Sequence, residues 1–187
     1  VISGLSGWLG RSLAYELIEY KNISPSEIIG IGSKARQISL ANGKTVQIVS
    51  WDDLFQSEYE IDLFAHYGFL TRDKVYEIPS VQYLQINREI THQAINLINK
   101  FKPRIVLSIS SGAVYQPPDY SKLDRNIETN PYGVLKIEEE ELLERVCIEL
   151  GSTYVINRLF GLTGRDIQNP KPYALADFIL SALKGND

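Results

Sequence analysis

The chain opens with Val1-Ile2-Ser3-Gly4-Leu5-Ser6-Gly7-Trp8-Leu9-Gly10, a short apolar run leading into a turn with a glycine at every third position. A helical pattern follows over residues 9–20, so the turn joins a strand to a helix. In that setting Gly4 allows the tight turn, Gly7 lets backbone N–H groups approach a pyrophosphate, and Gly10 permits close packing of helix on strand. The helix N-terminus adds the positive end of its dipole. The stretch predicts a dinucleotide phosphate loop in which Gly4, Ser6, Gly7, Trp8, Leu9 and Gly10 contact the ligand. Its plainer reading is a tight strand-to-helix turn and nothing more.

Outward from this turn, short β-branched runs alternate with longer helical patterns. Strands are predicted at residues 1–3, 27–31, 45–49, 62–67, 104–109 and 153–157, and helices at 9–20, 52–56, 81–100 and 132–149. Such alternation predicts an α/β fold, and six strands with right-handed crossovers predict a doubly wound parallel sheet of the Rossmann, NAD(P)-binding kind. After Asn157, Gly161, Gly164, Asn169, Pro170 and Pro172 crowd a short loop, and residues 173–184 read as a further amphipathic helix. The expected organisation is a dinucleotide domain over 1–160 and, over 161–187, the start of a substrate-binding segment that is incomplete here.

Composition narrows the class. With 44% hydrophobic and 22% charged residues the chain has the balance of a globular protein. Nineteen basic and 23 acidic side chains give a net charge of −4 without a block of either sign, so nucleic acid and anionic membranes are not expected partners. One cysteine forms neither an internal disulfide nor a cysteine-rich metal site, which makes the cytoplasm the expected compartment. No apolar run approaches the roughly 20 residues of a membrane span. Methionine is absent and Val1 already reads as strand, which predicts residues ahead of it.

Two further segments carry chemistry. After the second strand the chain reads Gly32-Ser33-Lys34-Ala35-Arg36, with no carboxylate to hold a ribose 2′-hydroxyl. Arg36 offers a planar fork suited to a 2′-phosphate and Ser33 a hydroxyl, favouring NADP over NAD; the alternative is ordinary solvated loop charge. Downstream, Pro131-Tyr132-Gly133-Val134-Leu135-Lys136 opens a helix and stacks Tyr132 and Lys136 on one face. A phenol is a poor base at neutral pH until a cation lowers its pKa, and Lys136 is placed to supply one. The strand at 104–109 ends in Ser110-Ser111-Gly112-Ala113-Val114-Tyr115, putting hydroxyls at the carboxyl end of the sheet, where ligands bind.

These residues resemble the short-chain dehydrogenase/reductase family, whose signature is Tyr-x-x-x-Lys after a serine-bearing strand. The turn spacing, with Ser3 in place of the usual threonine, is similar to that family's loop. Ser-Ser-Gly-Ala-Val-Tyr resembles the extended branch, which includes UDP-galactose 4-epimerase and other nucleotide-sugar enzymes. Asp62-Leu63-Phe64-Ala65-His66-Tyr67-Gly68, Asn87 with Thr91, and Arg158-Leu159-Phe160-Gly161-Leu162-Thr163-Gly164 match further stretches of it in order. The resemblance implies that Tyr132 exchanges the proton on a substrate oxygen while hydride passes to or from a nicotinamide. It also implies that Lys136 lowers the tyrosine pKa and binds ribose, Ser111 holds the reacting oxygen, and Asn87 supports the site through its amide. His66, Tyr67 and Gly68 would line the cofactor, and Asp52 would either touch adenine or cap a helix.

Departures from the family pattern shape the expected reaction. Gly112 and Ala113 stand where dehydratases carry an Asp-Glu pair, which leaves epimerisation or ketone reduction. Gly161 replaces an asparagine that usually touches the substrate diphosphate, which keeps a non-nucleotide carbonyl substrate in play beside an activated sugar. A cofactor-sensing protein without catalysis is the third reading, opposed by the intact Tyr132 and Lys136. Cys147 and His92 read as core and helix surface, and the acid run at 138–141 with Glu144 as a solvated face. The helices at 81–100 and 132–149, apolar on more than one side, predict a homodimer.

Overall fold

The structure is a computed structural model that describes residues 1–167, 169 and 173–185. Pro170 and Pro172 of the predicted loop lie outside the described residues. In chain order the elements are β1 (Ile2–Ser3), α1 (Trp8–Lys21), β2 (Ile29–Gly32), β3 (Arg36–Ser39), β4 (Thr45–Ser50), α2 (Trp51–Gln56), β5 (Leu63–His66), α3 (Ser80–Phe101), β6 (Ile105–Ser111), β7 (Tyr115–Gln116), β8 (Asp119–Leu123), α4 (Pro131–Leu150), β9 (Thr153–Leu159) and α5 (Ala174–Leu183). Among the described residues no helix is long and apolar enough to cross a membrane.

The main sheet runs β3-β4-β2-β1-β5-β6-β9. Every pairing in it is parallel except β3 with β4. Counting only the six parallel strands gives the order 3-2-1-4-5-6, the doubly wound arrangement expected from sequence. The reversal of strand order lies between β1 and β5, so a crevice opens above Ser3 and His66, which are register partners.

Strand alternation divides the apolar residues between two faces. Ile48 and Ala65 face the core that receives Ala14 and Ile18 of α1, whereas their neighbours Val49 and Phe64 face the one filled from α2, α3 and α4 by Leu54, Leu97, Ile98, Leu143 and Cys147. Cys147 is core, as expected, and burial pushes its thiol up to about 11, leaving it a weak nucleophile. His92 is exposed on α3, also as expected.

The sheet differs from expectation by one strand. Arg36 lies in β3, an antiparallel edge strand pairing residue by residue with β4, and not in a free loop after β2. Only Ile38 of its four residues is even half-buried, so no apolar alternation announced it. The β7–β8 hairpin is likewise not among the predicted strands: Pro117 and Pro118 form its turn and β8 shows no apolar alternation.

A larger correction concerns the acid run. Glu139 and Glu140 are buried, at 1% and 5% exposure, and only their flanking acids meet solvent as predicted. The reason is that α4 is enclosed by both β6 and α3, and each buried carboxylate has a cation waiting. Arg158 of β9 takes Glu140 in a two-pronged bond, Nε to Oε1 at 3.0 Å and an Nη to Oε2 at 2.6 Å. Its other Nη donates to the Tyr115 hydroxyl at 2.7 Å, which binds the hairpin to α4 and β9.

Candidate active site

The turn between β1 and α1 is set by backbone contact. Gly4 has φ +69°, and a Cβ there would lie 2.7 Å from the carbonyl carbon and oxygen of Tyr67, so neither the conformation nor the space admits a side chain. Gly10 meets the same turn from the helix side: its Cβ would fall 2.4 Å from the Gly4 carbonyl oxygen. Ser3 completes the seam, its hydroxyl accepting the Tyr67 and Gly68 N–H groups at 3.1 Å each. The N-cap of α1, Gly7, has no side chain to occupy the free N–H groups of the first turn.

Above the seam is a cleft of about 460 Å³. Gly4, Ser6, Gly7, Trp8, Leu9 and Gly10 form one wall, with Tyr67 and Gly68 from the exit of β5 beside them. The facing wall holds Ser111 at the end of β6 and Tyr132 and Lys136 from α4. Eleven of the predicted site residues therefore meet in one cavity. Tyr132 also lines an adjoining hollow of about 390 Å³ with Arg72, Ser80 and Thr129.

Local sequence explains how Ser111 and Tyr132 are held together. The Ser111 hydroxyl accepts the Ala113 N–H at 3.1 Å and caps the short 3-10 turn that ends the strand. Asn130 caps α4 by accepting the Gly133 N–H at 3.0 Å, and its amide donates to the Ala113 carbonyl at 2.7 Å. Asn-Pro ahead of the helix is an N-cap followed by proline at the first helical position, a start signal legible in the text.

The electrostatics depart from the expectation for the tyrosine. The Tyr132 phenol stands above its ordinary value, raised first by burial and then by the Glu139 charge and Tyr173, with the Ser111 hydroxyl and Arg72 working the other way. The Lys136 ammonium has partners other than the phenol in this structure. Its Nζ donates to the Ile109 carbonyl at 2.8 Å, pairs with Glu139 at 3.2 Å and lies 3.7 Å from the centre of the Phe69 ring. Burial lowers the Lys136 pKa, opposed by Glu139.

The model of the NAD dependent epimerase/dehydratase family matches residues 1–186. The chain belongs to that family. No curated protein matches it. Among solved structures, it is similar to a UDP-glucose 4-epimerase from Thermotoga maritima solved with UDP-glucose, at 19% identity and a TM-score of 0.69, covering 100% of this chain and 63% of the other. A UDP-glucuronic acid 4-epimerase from Bacillus cereus, solved with UDP-glucuronic acid and NAD, gives 20% identity and 0.69, covering 99% and 63%. A GalE-like L-threonine dehydrogenase from Cupriavidus necator gives 16% and 0.76, covering 99% and 62%. At these identities the likeness is one of fold, and the chain spans under two thirds of each neighbour's length.

Five residues expected at the site of this epimerase/dehydratase family member lie outside the cleft. Asn87 is buried in α3 and braces the wall: its Oδ1 accepts the Leu70 N–H at 2.8 Å, between Phe69 and Thr71, which do line the cavity. His66 is buried at 1% exposure beneath the floor and does not line it, because the seam of Ser3, Tyr67 and Gly68 lies above. Ser33, Arg36 and Asp52 are exposed at the carboxyl edge of the sheet. The α2 cap is Ser50, whose hydroxyl accepts the Asp53 N–H at 3.1 Å, so Asp52 is not the capping residue.

Sequence reasoning missed Phe69, Phe160 and Tyr173 in the cleft walls, and Glu139 behind Lys136. Tyr173 meets Trp8 edge-on at 5.2 Å, across a loop with no periodic signal. Phe160 belongs to the motif after the last strand, but its stacking on Tyr115, with ring centres 5.8 Å apart, is not legible there.

Proposed function

We propose that this chain holds the NAD(P)-binding and reacting half of an enzyme that epimerises or reduces a nucleotide-activated sugar by hydride transfer. The observation carrying the reading is the meeting of Tyr132, Lys136 and Ser111 with the glycine turn in one cleft. The donors fit a dinucleotide: an uncapped helix N-terminus and a turn with no side chain in the way suit a diphosphate. Bound there, the nicotinamide would carry or accept the hydride. Tyr132 gives or takes the proton on the substrate oxygen, Ser111 holds that oxygen by its hydroxyl, and Lys136 contributes positive charge beneath them.

Arg36 supports NADP as the preferred cofactor. It is exposed at the edge where an adenosine ribose would lie, and forms no ion pair among the described residues. Fluorescence titration with NADPH and NADH tests this: NADPH is expected to bind at least tenfold tighter, with Arg36→Ala bringing the two together, as befits one charge-assisted hydrogen bond. Failure of both to bind would reject the cofactor reading; equal binding by wild type would reject the preference. Cofactor reduction across a panel of sugar nucleotides tests the substrate class. A non-nucleotide carbonyl substrate is the second reading, favoured by Gly161 and by the fold shared with a threonine dehydrogenase.

The same proposal includes a homodimer through α3 and α4, whose Val81 and Ile148 remain 77% and 72% exposed. Light scattering at micromolar concentration is expected to give twice the chain mass.

A further inference from the structure

Glu139 has no part in the function proposed above, yet it lies between His66 under the cleft floor and Lys136 in the cleft wall. A carboxylate withdrawn from water is strongly disfavoured unless it is paired, so its partners define its purpose. On one side is Lys136, with Nζ at 3.2 and 3.4 Å from the two carboxylate oxygens. The Ile109 carbonyl and the Phe69 ring hold the ammonium from other sides, and the Phe69 ring in turn meets the Tyr132 ring edge-on at 5.9 Å.

On the other side is His66. The Ser3 hydroxyl already accepts two backbone N–H groups, so its own proton goes to His66 Nδ1 at 2.8 Å. The ring proton then sits on Nε2, which has no hydrogen-bond partner among the described residues and lies 3.7 Å from Glu139. Ser3, His66, Glu139 and Lys136 thus form a buried line from the seam at the phosphate turn to the reacting helix.

We propose that Glu139 is a positioning residue for the Tyr132 and Lys136 pair: it fixes the lysine ammonium against the Ile109 carbonyl and offsets part of its charge, and so sets the pH at which the phenol loses its proton. The inference rests on Tyr132 and Lys136 being the reacting pair. Other groups facing them are His66 from β5, Tyr154 from β9, Glu140 on α4 itself, Arg72 from the 3-10 turn before α3, Tyr83 from α3 and Tyr173 ahead of α5. Glu139 is the acid closest to the ammonium, and burial, which works to raise its carboxyl, is outweighed by Lys136 and His66, so it stays ionised.

The test follows the Tyr132 phenol by ¹³Cζ-tyrosine NMR against pH on the full chain, the resonance being assigned with Tyr132→Phe. Neither cofactor nor substrate is added, so a failure of NADPH to bind would reject the function above without touching this result. Glu139→Gln is expected to lower the phenol's titration by one unit or more, raising the tyrosinate fraction at a given pH about tenfold. Should that variant not fold, Glu139→Asp, whose shorter arm withdraws the charge from Nζ, is expected to lower it by a smaller step. A purely structural carboxylate would change the melting temperature and leave the titration in place. An unmoved titration in either folded variant overturns the proposal.

Discussion

Tyr132→Phe is expected to reduce turnover by two to four orders of magnitude while leaving NADPH affinity within a few-fold of wild type. The range is what a positioned proton donor contributes to a transition state. Phenylalanine keeps the ring, and with it the edge contact to Phe69 at 5.9 Å, so the wall of the cleft survives and only the hydroxyl is lost. Steady-state rates on whichever sugar nucleotide supports cofactor reduction, beside fluorescence titration of NADPH, separate the two effects. Equal loss of binding and turnover would mean that Tyr132 shapes the pocket and transfers no proton.

The largest stability effect is expected at Arg158, far from any transferred proton. Arg158→Ala should lower the unfolding free energy by about 3 kcal/mol, at the low end of what breaking a buried ion pair costs because the guanidinium side chain is 32% exposed. The loss falls on Glu140, a carboxylate 7% exposed in the intact pair that would be left without its ion-pair partner. Tyr115→Phe removes only the hydroxyl that receives the third bond and should cost about 1 kcal/mol. Urea denaturation read by circular dichroism measures both. A change below 1 kcal/mol for Arg158→Ala would show that water reaches Glu140 and that the network does not hold β9, α4 and the hairpin together.

What could be read from the sequence followed from local rules. The glycine turn, the six parallel strands and the four-residue step from Tyr132 to Lys136 are each encoded within a few adjacent residues. The features that escaped depend on partners far along the chain. A run of acids on a helix reads as solvated until Arg158, 18 residues on, closes over Glu140. Tyr132 and Lys136 fixed the place of the site but not its charge state, since the ammonium's partners Phe69 and Ile109 come from other strands' ends. Strand β3 went unseen because an exposed edge is held by backbone pairing, which leaves no apolar alternation in the side chains.

The close seating of Gly4 on Tyr67 bears on where a ligand would do its ordering. Fixing a backbone costs roughly 1–2 kcal/mol of conformational entropy per residue, and at this turn folding has already met that cost. A diphosphate arriving there finds the turn's amides fixed, whereas the exposed stretch from Ser33 to Ala35, between β2 and β3, is held by no ladder pairing. The cleft is therefore preorganised at the glycine turn, and for a dinucleotide bound as proposed the remaining ordering would fall on the loop at 33–35 outside it.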